Sequence, residues 1–201
     1  MDDPSLVSDI NGEWFEIYNN SASNIELQNY SFTDGGNDSF TITSSLIIEP
    51  MSYLIFGCND NESINGGYNP DYVYSRSEFK LDNGSDEIYL YNNTGQEIDM
   101  IAYNANFPAS SGFSKELINF FANNNQNTNW MLSEIAYGIG DYGTPGAENS
   151  VNTSVVTIDP DTTHFYQVDI SNPSSSSIQI INSLSYPSGI YNHQSVKRRS
   201  S

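Results

Sequence analysis

The sequence predicts an all-β chain, a sandwich or barrel rather than any parallel architecture, on three observations. Short apolar and aromatic runs recur along the chain, each bounded by clusters of Asn, Asp, Gly and Ser. Tyr and Phe, which favour strands and bury large areas, number 14 and 10 among 201 residues. In the first run Phe15 and Ile17 fall on one face while Glu16 and Tyr18 fall on the other, the period of a strand with one side in a core.

Strands are expected at roughly 13–19, 25–32, 39–43, 45–48, 52–58, 72–75, 86–91 and 97–103. Asn92-Asn93-Thr94-Gly95, flanked by Tyr89-Leu90-Tyr91 and Ile98-Asp99-Met100-Ile101, is the strongest hairpin signal, because Asn and Gly tolerate positive φ. Asp34-Gly35-Gly36-Asn37 and Asp82-Asn83-Gly84-Ser85 read as further turns. Ser114 to Phe121 begins like a helix, but Ile and Phe are indifferent helix formers and Asn123-Asn124-Asn125 follows, so an edge strand and a long loop fit equally.

After Asn149 the texture changes to Ser, Thr and Val with few charges. The strand-like runs Thr163 to Ile170 and Ser177 to Ile181 flank Pro173-Ser174-Ser175-Ser176. Residues 1–150 therefore form one expected domain, and 151–201 a Ser/Thr-rich trailing segment, either a linker or the start of a second β module.

The charge is lopsided. Residues 1–150 hold 22 Asp and Glu against Arg76, Lys80 and Lys115, so they carry the whole net charge of −19. Such a surface repels phosphate backbones, so no nucleic-acid partner is expected; cations, basic proteins and neutral glycans remain open. The lone Cys58 cannot form an internal disulfide, and at the end of Tyr53-Leu54-Ile55-Phe56-Gly57 it is expected to pack quietly as a small hydrophobe. No apolar stretch is long enough for a transmembrane segment, and Met1-Asp2-Asp3-Pro4 does not read as a signal peptide.

Gly12-Glu13-Trp14-Phe15-Glu16-Ile17-Tyr18-Asn19 followed by Ile25-Glu26-Leu27-Gln28-Asn29-Tyr30 resembles the opening of the bacterial lamin-tail domains, with Tyr30 at the usual tryptophan position. Phe79-Lys80-Leu81-Asp82-Asn83-Gly84-Ser85-Asp86-Glu87-Ile88, Gly95-Gln96-Glu97-Ile98-Asp99, Trp130 and Gly143-Thr144-Pro145-Gly146 continue the resemblance in the family's order. The resemblance implies an immunoglobulin-like antiparallel β-sandwich. It also implies a further apolar strand ahead of Gly12, which Met1 to Val7 does not supply. The first strand is thus expected to be truncated, leaving a sheet edge for a trailing segment, another copy of the chain or a partner strand to cover.

Catalytic and metal signatures are lacking. His164 and His193 lie outside the sandwich, no zinc spacing or Walker lysine occurs, and Glu13 and Glu16 sit at odd spacing on opposite faces of a strand. Asn59 to Ser63 with Asp71, and Asp82 to Glu87, offer hard oxygen ligands, yet neither matches a calcium-loop pattern and Asx-rich loops commonly form turns. No metal, cofactor or catalytic residue is assigned, and the chain is not expected to be an enzyme. Trp14 and Tyr18 are the contact candidates if they form an exposed outer-face patch; coverage by loops is the alternative.

From the resemblance, the expected role is a non-catalytic interaction or structural module of a secreted or cell-surface bacterial protein, with a protein or glycan partner or edge-strand pairing with another chain. An accessory targeting domain of a larger exported enzyme, such as a nuclease or phosphatase, is the alternative. Lamin-like scaffolding is less well supported, because no heptads are present.

Overall fold

A computed structural model of the chain describes residues 1–152. The runs from Thr163 and Ser177, both histidines and the rest of the trailing segment lie outside the described residues. Eleven strands are described: β1 (Trp14–Tyr18), β2 (Ile25–Glu26), β3 (Ser31–Thr33), β4 (Ser39–Thr41), β5 (Ile47–Ile48), β6 (Tyr53–Gly57), β7 (Tyr72–Val73), β8 (Asp86–Tyr91), β9 (Glu97–Tyr103), β10 (Lys115–Leu117) and β11 (Trp130–Leu132). One sheet has the order β1-β6-β7 and a second β4-β3-β8-β9, with β2-β5 and β10-β11 as short two-stranded ladders.

The two larger sheets share one interior. Phe15, Leu54 and Phe56 from the first meet Phe32 and Phe40 from the second, with Ile17 and Leu90 packed against the same cluster. Register explains this: Phe15 lies opposite Phe56 and Ile17 opposite Leu54, so all four side chains leave the β1–β6 pair on one face. Aromatic rings fill the space, Phe15 stacking on Phe56 at 5.1 Å and meeting Phe32 edge-on at 5.1 Å. The sandwich expected from the sequence is present, with one difference: β7 runs parallel to β6 (Phe56 opposite Tyr72), whereas the other pairs are antiparallel.

Most expected strands stand where the alternation placed them, and 86–91 and 97–103 match residue for residue. The hairpin between them closes where Asn92 donates its N–H to the Gln96 carbonyl at 2.9 Å. The run 25–32 is broken. Asn29 takes a left-handed φ of 66° and the Tyr30 N–H turns back to the Leu27 carbonyl, so a turn separates β2 from β3 and drops Leu27 into the core. Of the two readings of 114–121, the strand is correct, as β10; its partner β11 and the single helical turn at Asp9–Gly12 were not anticipated.

Gly143-Thr144-Pro145-Gly146 forms a turn near the end of the described domain. Ala147 donates to the Thr144 carbonyl at 3.0 Å, with Pro145 and Gly146 as the central pair and Gly146 at φ 74°. Gly143 is closely packed instead: a Cβ there would lie 3.0 Å from Cζ2 of Trp14.

Candidate functional site

The outer face of β1 and β6 is where the contact candidates lie, and of the two readings of Trp14, an exposed patch or cover by loops, the structure shows cover. Trp14 is 3% exposed, packed with Met1, Ile55 and Tyr68 in a second cluster flanked by Tyr137. Its indole Nε1 donates to the Tyr137 hydroxyl at 3.0 Å, so the polar end of the ring is also satisfied. Loops remote in sequence cover it, as the second of those readings has it. Tyr18 is half-buried, with its ring 4.7 Å from Tyr53 and stacked on Phe120 at 4.1 Å.

Glu13 and Glu16 have separate surroundings. Glu13 is fully buried; it accepts the Tyr74 hydroxyl at 2.8 Å on Oε1 and Arg76 Nε at 3.3 Å on Oε2. Burial raises its pKa to about 7, opposed by the Tyr74 hydroxyl, the Leu81 N–H and Arg76. Glu16 accepts the Gly146 N–H at 2.9 Å, tying β1 to the closing turn. Burial raises its pKa to about 7 as well, opposed by the Gly146 N–H and the Met1 ammonium.

A pH dependence follows from Glu16. Its folded pKa of about 7 stands above the ordinary glutamate value of 4.5, so the folded state holds this proton more tightly than the unfolded one. The resulting stabilisation is complete below pH 4.5 and is lost as pH rises through about 7. Glu16→Gln keeps an acceptor for Gly146 and removes the charge. At pH 8 it is expected to stabilise the domain by on the order of 2 kcal/mol. Urea midpoints from pH 5 to 8 should therefore fall less steeply for the variant; an unchanged slope would contradict the assignment.

Other buried polar groups fasten loops. Asn19 donates from Nδ2 to the carbonyls of Ser23, Ile48 and Glu49. Asn65 joins the carbonyls of Asn59 and Tyr68 to the N–H of Gly67. Asp141 accepts the Ser5 N–H and hydroxyl, and Glu116 accepts the hydroxyls of Thr144 and Ser150. The oxygen-rich loops do likewise: Asn59 and Asn61 each accept a backbone N–H two residues on, Asp71 accepts that of Ile55, and Asp86 those of Asp82 and Glu87. Among the described residues no cluster of three or more His, Cys, Asp or Glu is placed to hold a metal. Cys58 packs against the main core, its thiol pushed up to about 11 by burial and by Glu13.

A groove of about 720 Å³ opens beside β1. Phe15, Ile17 and Leu90 line it from the sandwich interior and Leu117, Phe120 and Trp130 from the β10–β11 side. Glu16, Asp99 and Glu116 also border it, as does Ser114, whose hydroxyl is the one buried side-chain polar atom without a partner among the described residues. Sequence patterning did not reveal this groove, because its walls come from segments a hundred residues apart.

A two-sheet sandwich whose buried polar side chains fasten loops is the architecture of an immunoglobulin-like domain. The lamin tail domain model matches residues 1–105, and the chain belongs to that family. It is a family of non-catalytic structural and interaction domains. A search of curated proteins finds no match. Among the described residues no helix is long and apolar enough to cross a membrane.

Proposed function

We propose that this domain is a non-catalytic interaction or structural module of a secreted or cell-surface bacterial protein, with a protein or glycan as its partner. The observation that carries the reading is the use of its interior polar groups. Glu13, Asn19, Asn65, Glu116 and Asp141 are each buried and each committed to loops or neighbouring side chains. A general acid or base needs a carboxyl free to meet a substrate proton, and here those carboxyls are engaged. The charge of −19 over residues 1–150 argues against nucleic acid as the partner.

Two measurements test this. Protease treatment of intact source cells is expected to remove the protein while sparing a cytosolic marker; protection would overturn the surface placement. The purified chain is expected to leave phosphomonoester and phosphodiester test substrates unchanged; turnover abolished by a substitution within residues 1–150 would overturn the non-catalytic role.

A further inference from the structure

The four-stranded sheet ends in two edge strands, β4 and β9. Along β9 the Asn125 side chain completes the edge: its Oδ1 accepts the Ala102 N–H at 2.9 Å and its Nδ2 donates to the Met100 carbonyl at 2.9 Å. One carboxamide thus satisfies a carbonyl and the N–H two residues further on, because it donates and accepts from the same side.

β4 presents the same pair of groups. The Ile42 N–H bonds to the Tyr30 carbonyl and the Asp38 carbonyl accepts the Asp34 N–H, so the even-numbered residues bond towards β3 while Ser39 and Thr41 direct their backbone groups outwards. The outer two of those groups are held: the Ser39 N–H by the Glu78 carbonyl at 2.7 Å, and the Thr41 carbonyl by the Tyr72 hydroxyl at 3.3 Å. Between them the Ser39 carbonyl and the Thr41 N–H have no partner among the described residues. Both residues border a cleft of about 520 Å³ between β4 and β7, lined also by Phe40, Tyr72 and Glu78. This cleft lies on the far side of β6 from β1, and neither Met1 nor Asn152 borders it.

We infer that the cleft binds a carboxamide, the side chain of a Gln or Asn on a partner protein, which donates to the Ser39 carbonyl, accepts the Thr41 N–H and brings a neighbouring Lys or Arg to Glu78. The inference rests on the interaction-module reading and gives it a partner chemistry. A strand laid along β4 finds little open edge, because the Ser39 N–H and the Thr41 carbonyl are already taken. A trans secondary amide, such as the acetamido group of a sugar, points its N–H and C=O in opposite directions and meets only one of the two open groups. The Tyr72 ring, stacked on Phe40 at 5.5 Å, offers apolar surface to the methylene stem. Charge selects the neighbour: Glu78 is exposed, its carboxylate has no hydrogen bond or ion pair among the described residues, and no Lys or Arg lines the cleft.

The test uses the isotope-labelled 201-residue chain and the capped tripeptide Lys-Gln-Lys, with norleucine or Glu in place of Gln as controls. The Gln peptide is expected to move the Thr41 amide resonance with a dissociation constant in the millimolar range, while the Ala102 amide, already bridged by Asn125, stays still. Norleucine, which keeps the stem and lacks both polar atoms, is expected to weaken binding about tenfold, the loss of two hydrogen bonds, and Glu, which cannot donate, by at least as much. Glu78→Gln is expected to weaken binding of the Gln peptide. Equal binding of the norleucine peptide, which would assign the contact to backbone or charge alone, would overturn the proposal. So would no movement at Thr41, an equal movement at Ala102, or indifference to Glu78→Gln. Slow exchange of the Thr41 amide in the chain alone would overturn it too, because the edge would then have another occupant. None of these results bears on the protease treatment of intact cells, which tests the underlying reading separately.

Discussion

Phe56→Ala is expected to destabilise the domain by about 3–5 kcal/mol, a large share of the roughly 5–15 kcal/mol typical of a folded domain. Phe56 is fully buried on the central strand of its sheet, stacked on Phe15 at 5.1 Å and tilted against Phe32 at 4.8 Å and Tyr72 at 5.8 Å. Truncation removes the transfer free energy of a large ring and leaves a cavity that strands held on both sides cannot close. In urea titration the midpoint should fall by about 1–3 M if the slope is unchanged. Phe56→Leu, which keeps most of the volume, should cost less than half as much. A loss below about 1 kcal/mol for the alanine variant would mean that the two sheets do not meet at this residue.

Glu13→Ala is expected to cost about 3–5 kcal/mol for an electrostatic reason. The carboxyl lies at zero exposure between the Tyr74 hydroxyl and Arg76, and its loss leaves a buried hydroxyl and a partly buried guanidinium without their acceptor. Glu13→Gln retains an acceptor for Tyr74 and, because the native carboxyl titrates near pH 7, mimics its protonated form. Its cost should be about 1 kcal/mol or less at pH 6. Equal losses for the two variants would show that the side chain matters by volume rather than by hydrogen bonding.

Legibility differed between levels of structure. The Phe15/Ile17 alternation gave the inner face of β1 directly, because a period of two needs no tertiary information, and Asn92 to Gly95 fixed the longest hairpin through turn chemistry. The turn at Leu27–Tyr30 was hidden, since its left-handed residue is Asn29 rather than Gly within a run that otherwise reads as strand. Trp14 was the least legible site residue. Its cover, Tyr68 and Tyr137, comes from loops more than fifty residues away, so local patterning could not separate an exposed patch from a second core. Glu13 was passed over as one of two unpaired carboxylates, because its partners Tyr74 and Arg76 become neighbours only through folding. Cys58 was readable from its position after an apolar run and does pack against the core.

The fastenings at the two ends of the described chain carry a mechanical consequence. Asp2 is clamped to Lys115 and Ser150 to Glu116, so both ends are secured to adjacent residues of the three-residue β10. Tension drawn between the two ends would load this clasp together with the backbone pair between Met1 and Trp14. Both ends would then strain the short β10 and the start of β1, while the longer β8–β9 hairpin stands outside the path of the load.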